Sequence, residues 1–385
     1  MKNTNLLLIS CIYFMIISNN TFSQSIIKAS ISVTKKGGMK IKETLNDVST
    51  KYDTLVFNKN INLKGNEEKL IKGNIFRNTY LNYINSDGSV NYSIQPPKSS
   101  FHNFFFHDSI FFISADYLGV KKEKFNAKKK YNLNIDVPED YTLIHPRKQD
   151  LENALYDSPP IIAGVFEEFE YNDFCVYYRP NLKYGKKRMN AILNTIENSF
   201  NHFQTIFSKK GKQLEIIFLP FKNMAGKNLD NLIILNENIL TNPWLDKKTL
   251  IHETLHQWWG DNSIKFENPV LTEAITEFFS FIYLDKIGEK KYLTQRLIRK
   301  KKRIQSIKKY DFNFNKIFNA YQYNLYSYDL LPLILWSKEY QGKSVVPFLI
   351  NFFKVNKQSF IDKKKCNQLL KKLGIPINTS NPFLK

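Results

Sequence analysis

The hydrophobic period of this chain changes once, near residue 150, and that change limits the fold more than any other feature. In "YNLNIDV", Tyr131, Leu133, Ile135 and Val137 alternate with Asn132, Asn134 and Asp136, the pattern of a strand with one buried and one wet face. "DTLVF" near residue 55 and the aromatic run "FHNFFFHDSIFFISADY" (101–117) are strand-like too, bounded by turn material such as "NSDGS" and "QPPKSS". Beyond "PRKQDLENALYDSPP" (146–160) the step lengthens. Met189, Ile192, Ile196, Phe200, Phe203 and Phe207 recur every three or four residues, which predicts an amphipathic helix. "LEIIFLP" (214–220) and "LIIL" (232–235) are short β-rich runs, and from Asp246 onward nearly every segment has helical spacing. The expectation is an α+β protein, with a β-sandwich-like domain over residues 24–150. A small mixed sheet and a mainly helical lobe follow over 160–385.

Before these domains the chain reads as an address. "MKNTNLLLISCIYFMIISNNTFSQ" has a lysine, an apolar run from Leu6 to Ile17, and a polar stretch ending in Thr21-Phe22-Ser23. That is the layout of a secretory signal peptide over residues 1–23, too short for a membrane span. The expected destination is periplasmic or extracellular. The competing reading makes Cys11 a lipidation site, but the apolar run continues past it and little of it lies before. No other run is apolar for long enough to cross a bilayer. The net charge is +21, yet only seven of the 56 basic residues are arginine, whereas readers of phosphate favour arginine's planar fork. "RLIRKKKRIQSIKK" (296–309) is read as a helix with a solvated basic face, and no nucleic-acid partner is expected. Past the leader only Cys175 and Cys366 remain, without a Cys-x-x-Cys pair, which excludes a cysteine zinc module or a disulfide scaffold.

Chemistry concentrates in "LIHETLHQWWGDN" (250–262). Asp246 is placed to cap a helix and Gly260 to end it. On that helix His252 and His256 are one turn apart on one face, a spacing that lets two neutral imidazoles hold one zinc ion. Glu253 projects beside them, where it can act as general base toward a metal-activated water. A catalytic zinc needs a third protein ligand and an open position. No histidine follows residue 262, so the carboxylates Asp261, Glu267, Glu273 and Glu277 are the candidates. Glu273 lies in "PVLTEAITEFFSFIYLDK", whose spacing makes a second helix able to cross the first. It is assigned as the ligand, and Glu277, one turn later, as the acceptor for a ligand histidine's remaining N–H.

With these residues in view, "HETLHQWWGD…VLTEAITEFF" resembles the aminopeptidase N family of gluzincin zinc peptidases. In that family His-Glu-x-x-His-x-Trp-x-Gly precedes a helix carrying Asn-Glu-Gly. The resemblance implies a thermolysin-like catalytic domain, zinc on His252, His256 and Glu273, Glu253 as base, and a peptide substrate. It extends to "YNLNIDVPEDYTLIHP" and to "YSYDLLPLILWSKEYQGKSVVPFLINFF", where Tyr328 matches the tyrosine that stabilises the oxyanion, with Tyr326 as the fallback.

This chain also departs from the pattern. Only 16 residues separate His256 from Glu273, fewer than is usual, and Leu330-Leu331 stands where lysine-glycine is expected after Tyr328-Asp329. The family's Gly-x-Met-Glu-Asn strand, which holds the substrate's free amine, is reduced to "GKNLDN" (226–231), with Asp230 in the glutamate's place. These 385 residues hold no counterpart of the long helical C-terminal domain. The reading is therefore an exported zinc peptidase, first an aminopeptidase. A zinc endopeptidase of the same fold, or an inactive binding protein that kept the fold, stays open.

Overall fold

The computed structural model describes residues 25–44, 52–58, 63–64, 69–73, 77–83, 89–94, 104–107, 109–114, 117–118, 120–121, 129–147, 151, 158–180, 182, 185–208, 214–221, 225–229, 231–242, 246–260, 263–306, 311–313, 320–357, 359–375 and 378–380. The signal segment with Cys11, most of the seam at 146–160, Asp230 and Asp261 lie outside the described residues.

The first part is β, as alternation requires. Ser25–Val33, an inner strand of a five-stranded sheet, pairs parallel with Lys129–Asp136, Ile27 lying opposite Tyr131, and antiparallel with Met39–Thr44. Residues Tyr131, Leu133 and Ile135 turn inward while Asn132, Asn134 and Asp136 are exposed. Tyr52–Asn58 belongs to a separate four-stranded sheet.

A third sheet joins the two halves. Its strands run in the order Thr142–His145, Ile161–Gly164, Ile110–Ile113, Phe104–His107. Ile161–Gly164 follows the expected seam, so it completes a sheet begun before it. The run "IFFI" is buried on both faces, which explains its unbroken hydrophobicity. Phe111, Ile113 and Ile161 pack with Ile31, Ile41 and Ile94 on one side. Ile110, Phe112 and Ile162 pack with Ile217, Leu219 and Ile234 on the other.

Those last three residues belong to a mixed five-stranded sheet, ordered Glu167–Tyr171, Phe174–Tyr178, Leu214–Leu219, Leu232–Asn236, Gly226–Leu229. Its far face is covered by the helix Lys186–Phe207, whose Ile192, Ile196, Phe203 and Phe207 meet Val176, Ile216, Phe218 and Ile233 in the largest core. That core continues into the helical lobe, so the helices that follow are held rigidly against the sheet. The strand Gly226–Leu229 forms the sheet's edge, antiparallel to Leu232–Asn236, and lies beside the helix Lys247–Leu255. Among the described residues no helix is long and apolar enough to cross a membrane.

Candidate metal centre

The histidine helix, Lys247–Leu255, is fixed at its start by Asp246. That carboxylate accepts from Thr249 N at 3.3 Å and from Thr249 Oγ1 at 3.0 Å, as an N-cap does. The helix stops at Leu255, short of the expected end at Gly260. Gln257 N and Trp258 N reach back only three residues, to Thr254 O at 3.1 Å and Leu255 O at 3.0 Å. This tightened turn swings both tryptophans into the core. The Trp258 ring lies 5.4 Å from that of Phe200, and Trp259 stacks on Phe279 at 6.0 Å. Gly260 is needed for closeness here, because a Cβ on it would sit 2.9 Å from His256 O.

The second helix, Pro269–Lys286, starts at Asn268, whose side chain accepts from Val270 N at 3.0 Å. It crosses the histidine helix and brings Glu273 and Glu277 to it. Glu273 Oε2 lies 3.0 Å from His252 Nε2 and 3.6 Å from His256 Nε2, and the two Nε2 atoms are 3.2 Å apart. Donors bound to one tetrahedral ion at about 2.0–2.1 Å stand about 3.3 Å from one another. The three atoms therefore match the corners of a zinc site.

The protons agree with that geometry. His256 Nδ1 is 2.8 Å from the carbonyl oxygen of Trp259, and His252 Nδ1 is 3.1 Å from Glu277 Oε2. Both partners only accept, so each ring carries its hydrogen on Nδ1 and, when neutral, turns the Nε2 lone pair inward. Two lone pairs and a carboxylate then converge with no donor of their own, an arrangement that calls for a cation. Burial opposes a charged His256, but the Glu273 carboxylate outweighs it and pushes the ring's pKa up to about 9. Burial likewise opposes the Glu273 carboxylate, yet the two rings hold it well below the usual carboxylate range. His252, His256 and Glu273 form the metal-competent cluster found among the described residues.

Around the cluster stand the other residues singled out from the sequence. Glu277 is fully buried, as an acceptor behind a ligand ring must be. Glu253 is 8% exposed, and burial, reinforced by Glu273, raises its pKa despite the two histidines. Tyr328 Oη donates to Glu273 Oε2 at 3.0 Å, its ring 5.9 Å from that of His252. Burial raises the Tyr328 hydroxyl well above its ordinary value, so it stays a donor at neutral pH. Tyr326, the fallback, is buried.

Five further residues shape this site. Asn228, on the edge strand, donates from Nδ2 to Glu253 O at 2.9 Å, and Gln257 Nε2 donates to Asn228 Oδ1 and Leu229 O, both at 3.0 Å. Together they fasten the strand to the histidine helix. Gly226, in the same strand, lies so close to Glu253 that a Cβ would meet its Cγ at 2.8 Å. Lys248 and Lys300 both reach Glu277 at 2.9 Å. Lysines in a lysine-rich chain give no signal, but a fully buried carboxylate requires counter-charge.

The two-part architecture and this helical lobe are the fold of the M1 zinc metallopeptidases. No protein-family model matches the chain, and no curated protein matches it in sequence. Solved structures do match. The aminopeptidase A of Legionella pneumophila, in complex with aspartic acid, superposes with a TM-score of 0.59 at 14% identity, covering 91% of this chain and 48% of that one. A mutant M1 zinc metallopeptidase of Deinococcus radiodurans gives 0.58 at 10% identity, with 94% and 96% covered. Leukotriene A4 hydrolase of Saccharomyces cerevisiae gives 0.58 at 14% identity, with 91% and 64% covered. The chain thus spans about half of the Legionella enzyme and nearly all of the Deinococcus one.

Proposed function

We propose that this chain is a zinc-dependent peptidase, acting as an aminopeptidase and exported by its first 23 residues. The observation that carries the reading is the convergence of His252 Nε2, His256 Nε2 and Glu273 Oε2, at 3.0–3.6 Å from one another, next to a buried Glu253. A metal site built only for structure is closed by four protein ligands and has no use for a buried carboxylate beside it. When bound, zinc would supply Lewis acidity toward the substrate carbonyl and the attacking water.

The chain's own residues do the rest. Glu253 takes a proton from the attacking water and passes it to the leaving amine, a role favoured by its raised pKa. Tyr328 donates its hydroxyl hydrogen to the developing oxyanion, being neutral and within reach of the same carboxylate corner. Glu277 holds the His252 ring in the tautomer that offers Nε2. The backbone of the edge strand, fastened through Asn228, sets Glu253 in place. A structure of the Deinococcus enzyme has been solved with a Tyr-Ser-Ala substrate, which supports a short peptide as the substrate class.

The test is digestion of a peptide mixture by the purified protein, with and without chelator, followed by mass spectrometry of the cut ends. Stepwise loss of N-terminal residues, abolished by chelator and restored by zinc, is expected. Internal cuts in N-terminally blocked peptides would replace the aminopeptidase reading by the endopeptidase one. No cleavage at all would leave a binding protein.

A further inference from the structure

Behind the His252 ring, more positive charge is gathered than one orienting carboxylate requires. Glu277 Oε2 receives His252 Nδ1 at 3.1 Å and Lys248 Nζ at 2.9 Å, while Lys300 Nζ forms an ion pair with Oε1 at 2.9 Å without hydrogen-bond geometry. Lys248 stands one turn before His252 on the same helix, so its reach is local. Lys300 comes from another helix, Lys290–Gln305, where Lys290, Lys291, Arg299, Lys301, Lys302 and Arg303 face solvent. Its side chain turns inward instead, 12% exposed, with the ammonium 5.6 Å over the Phe281 ring.

The ammonium has a second set of partners. It donates to the backbone oxygen of Tyr328 and lies 3.5 Å from Asp329 Oδ1; the other oxygen of that carboxylate is ion-paired with Arg303 NH1 at 3.0 Å. The Tyr328 contact has a cause in the sequence. An α-helical carbonyl accepts from the N–H four residues on, and four residues past Tyr328 stands Pro332, which has none. The segment Leu325–Leu330 is accordingly π-helical, with Leu331 N donating to Tyr326 O five residues back. Lys300 supplies a hydrogen for a carbonyl that proline deprives of its α-helical donor.

We infer that Lys300 is a positioning residue that ties the two halves of the centre together. Its one ammonium holds the carboxylate that orients His252 and the backbone of the residue whose hydroxyl reaches Glu273. Lys248 serves the first half only. The inference deepens the peptidase reading, on which its consequence for turnover rests, but the tie itself is read without turnover.

The test compares full-length, zinc-loaded wild type, Lys300→Met and Lys248→Met. Zinc affinity is measured by competition with a chromophoric chelator, and backbone hydrogen exchange over residues 325–333 by mass spectrometry. Both variants are expected to weaken zinc about tenfold or more, as loss of a partner behind a ligand does. Only Lys300→Met should speed exchange in that segment, by about tenfold for one lost hydrogen bond. In turnover, Lys300→Met and Tyr328→Phe should be non-additive, while Lys248→Met and Tyr328→Phe should add. Unchanged zinc affinity in Lys300→Met, or exchange no faster than in Lys248→Met, overturns the inference. Should Lys300→Met not fold alone, it is measured in a Pro332→Ala background, which returns an N–H to the helix. There zinc must still weaken about tenfold while exchange stays level with Pro332→Ala, and unchanged zinc affinity again overturns the inference. If wild type cleaves no peptide, the peptidase reading fails, and the affinity and exchange results still decide the role of Lys300.

Discussion

Adding a single methyl group at Gly226 should disable the base while sparing the metal. An alanine Cβ there would lie 2.8 Å from Glu253 Cγ, 2.9 Å from Glu253 Cδ and 3.0 Å from Ile234 O. Ile234 O belongs to the neighbouring strand and is held by the ladder, so the Glu253 side chain must yield. To reach the 3.4 Å of ordinary contact it has to move by about 0.6 Å. A misplacement of about 1 Å costs on the order of a hundredfold in rate, so Gly226→Ala should lower kcat about tenfold to thirtyfold, or about 1.4–2 kcal/mol. The ligand atoms of His252, His256 and Glu273 are not among the near contacts of that methyl, so zinc content should not change. The assay is peptide hydrolysis normalised to zinc measured by elemental mass spectrometry. Full turnover would mean that the strand does not press on the base. Loss of zinc in step with activity would mean that the damage runs through the ligands.

Other expectations follow from the same contacts. Glu253→Gln should retain zinc and lose about 10²–10⁴ in kcat, the usual worth of a positioned base, and unchanged turnover would refute the role given to Glu253. Trp259→Ala should cost about 3–5 kcal/mol in denaturant unfolding, since the ring is fully buried against Phe207, Phe279 and Phe353; a cost below about 1 kcal/mol would contradict that packing. Asp246→Ala should cost about 1–2 kcal/mol at neutral pH through the lost cap. Burial pushes the Asp246 carboxyl up, but Arg296 and the Tyr292 hydroxyl outweigh it, so its folded pKa lies below its unfolded one. Its stabilisation is thus present above the unfolded pKa of about 3.9 and fades as pH falls through the folded value. The gap between wild type and Asp246→Ala should shrink on acidification, and a gap that widened would have the wrong sign.

What could be read in advance follows from which forces act locally. Alternation in "YNLNIDV" and the three-four step from Met189 to Phe207 encode burial directly, and both became the expected elements. The spacing of His252, Glu253 and His256 is a local constraint, so their shared face was visible too. The end of the histidine helix was not, because burial of two tryptophans, a tertiary event, tightens the turn before Gly260 is reached. Nor was the fate of Lys300. The basic run predicts a solvated face, which is where most of its charges lie, but a flexible four-carbon stem can also turn one ammonium inward. Only the position of Glu277 and the missing N–H of Pro332 give it a reason to do so. The third corner, Glu273, depended on two helices crossing, which spacing permits without fixing.

The account stands or falls on whether those three side chains hold one zinc ion. Elemental mass spectrometry of the full-length protein, loaded with zinc and then dialysed against metal-free buffer, measures this directly. One zinc per chain is expected for the wild type, and none for His256→Ala or Glu273→Ala when both remain folded by circular dichroism. A wild type that keeps no zinc, or a folded Glu273→Ala that keeps it fully, would contradict the account.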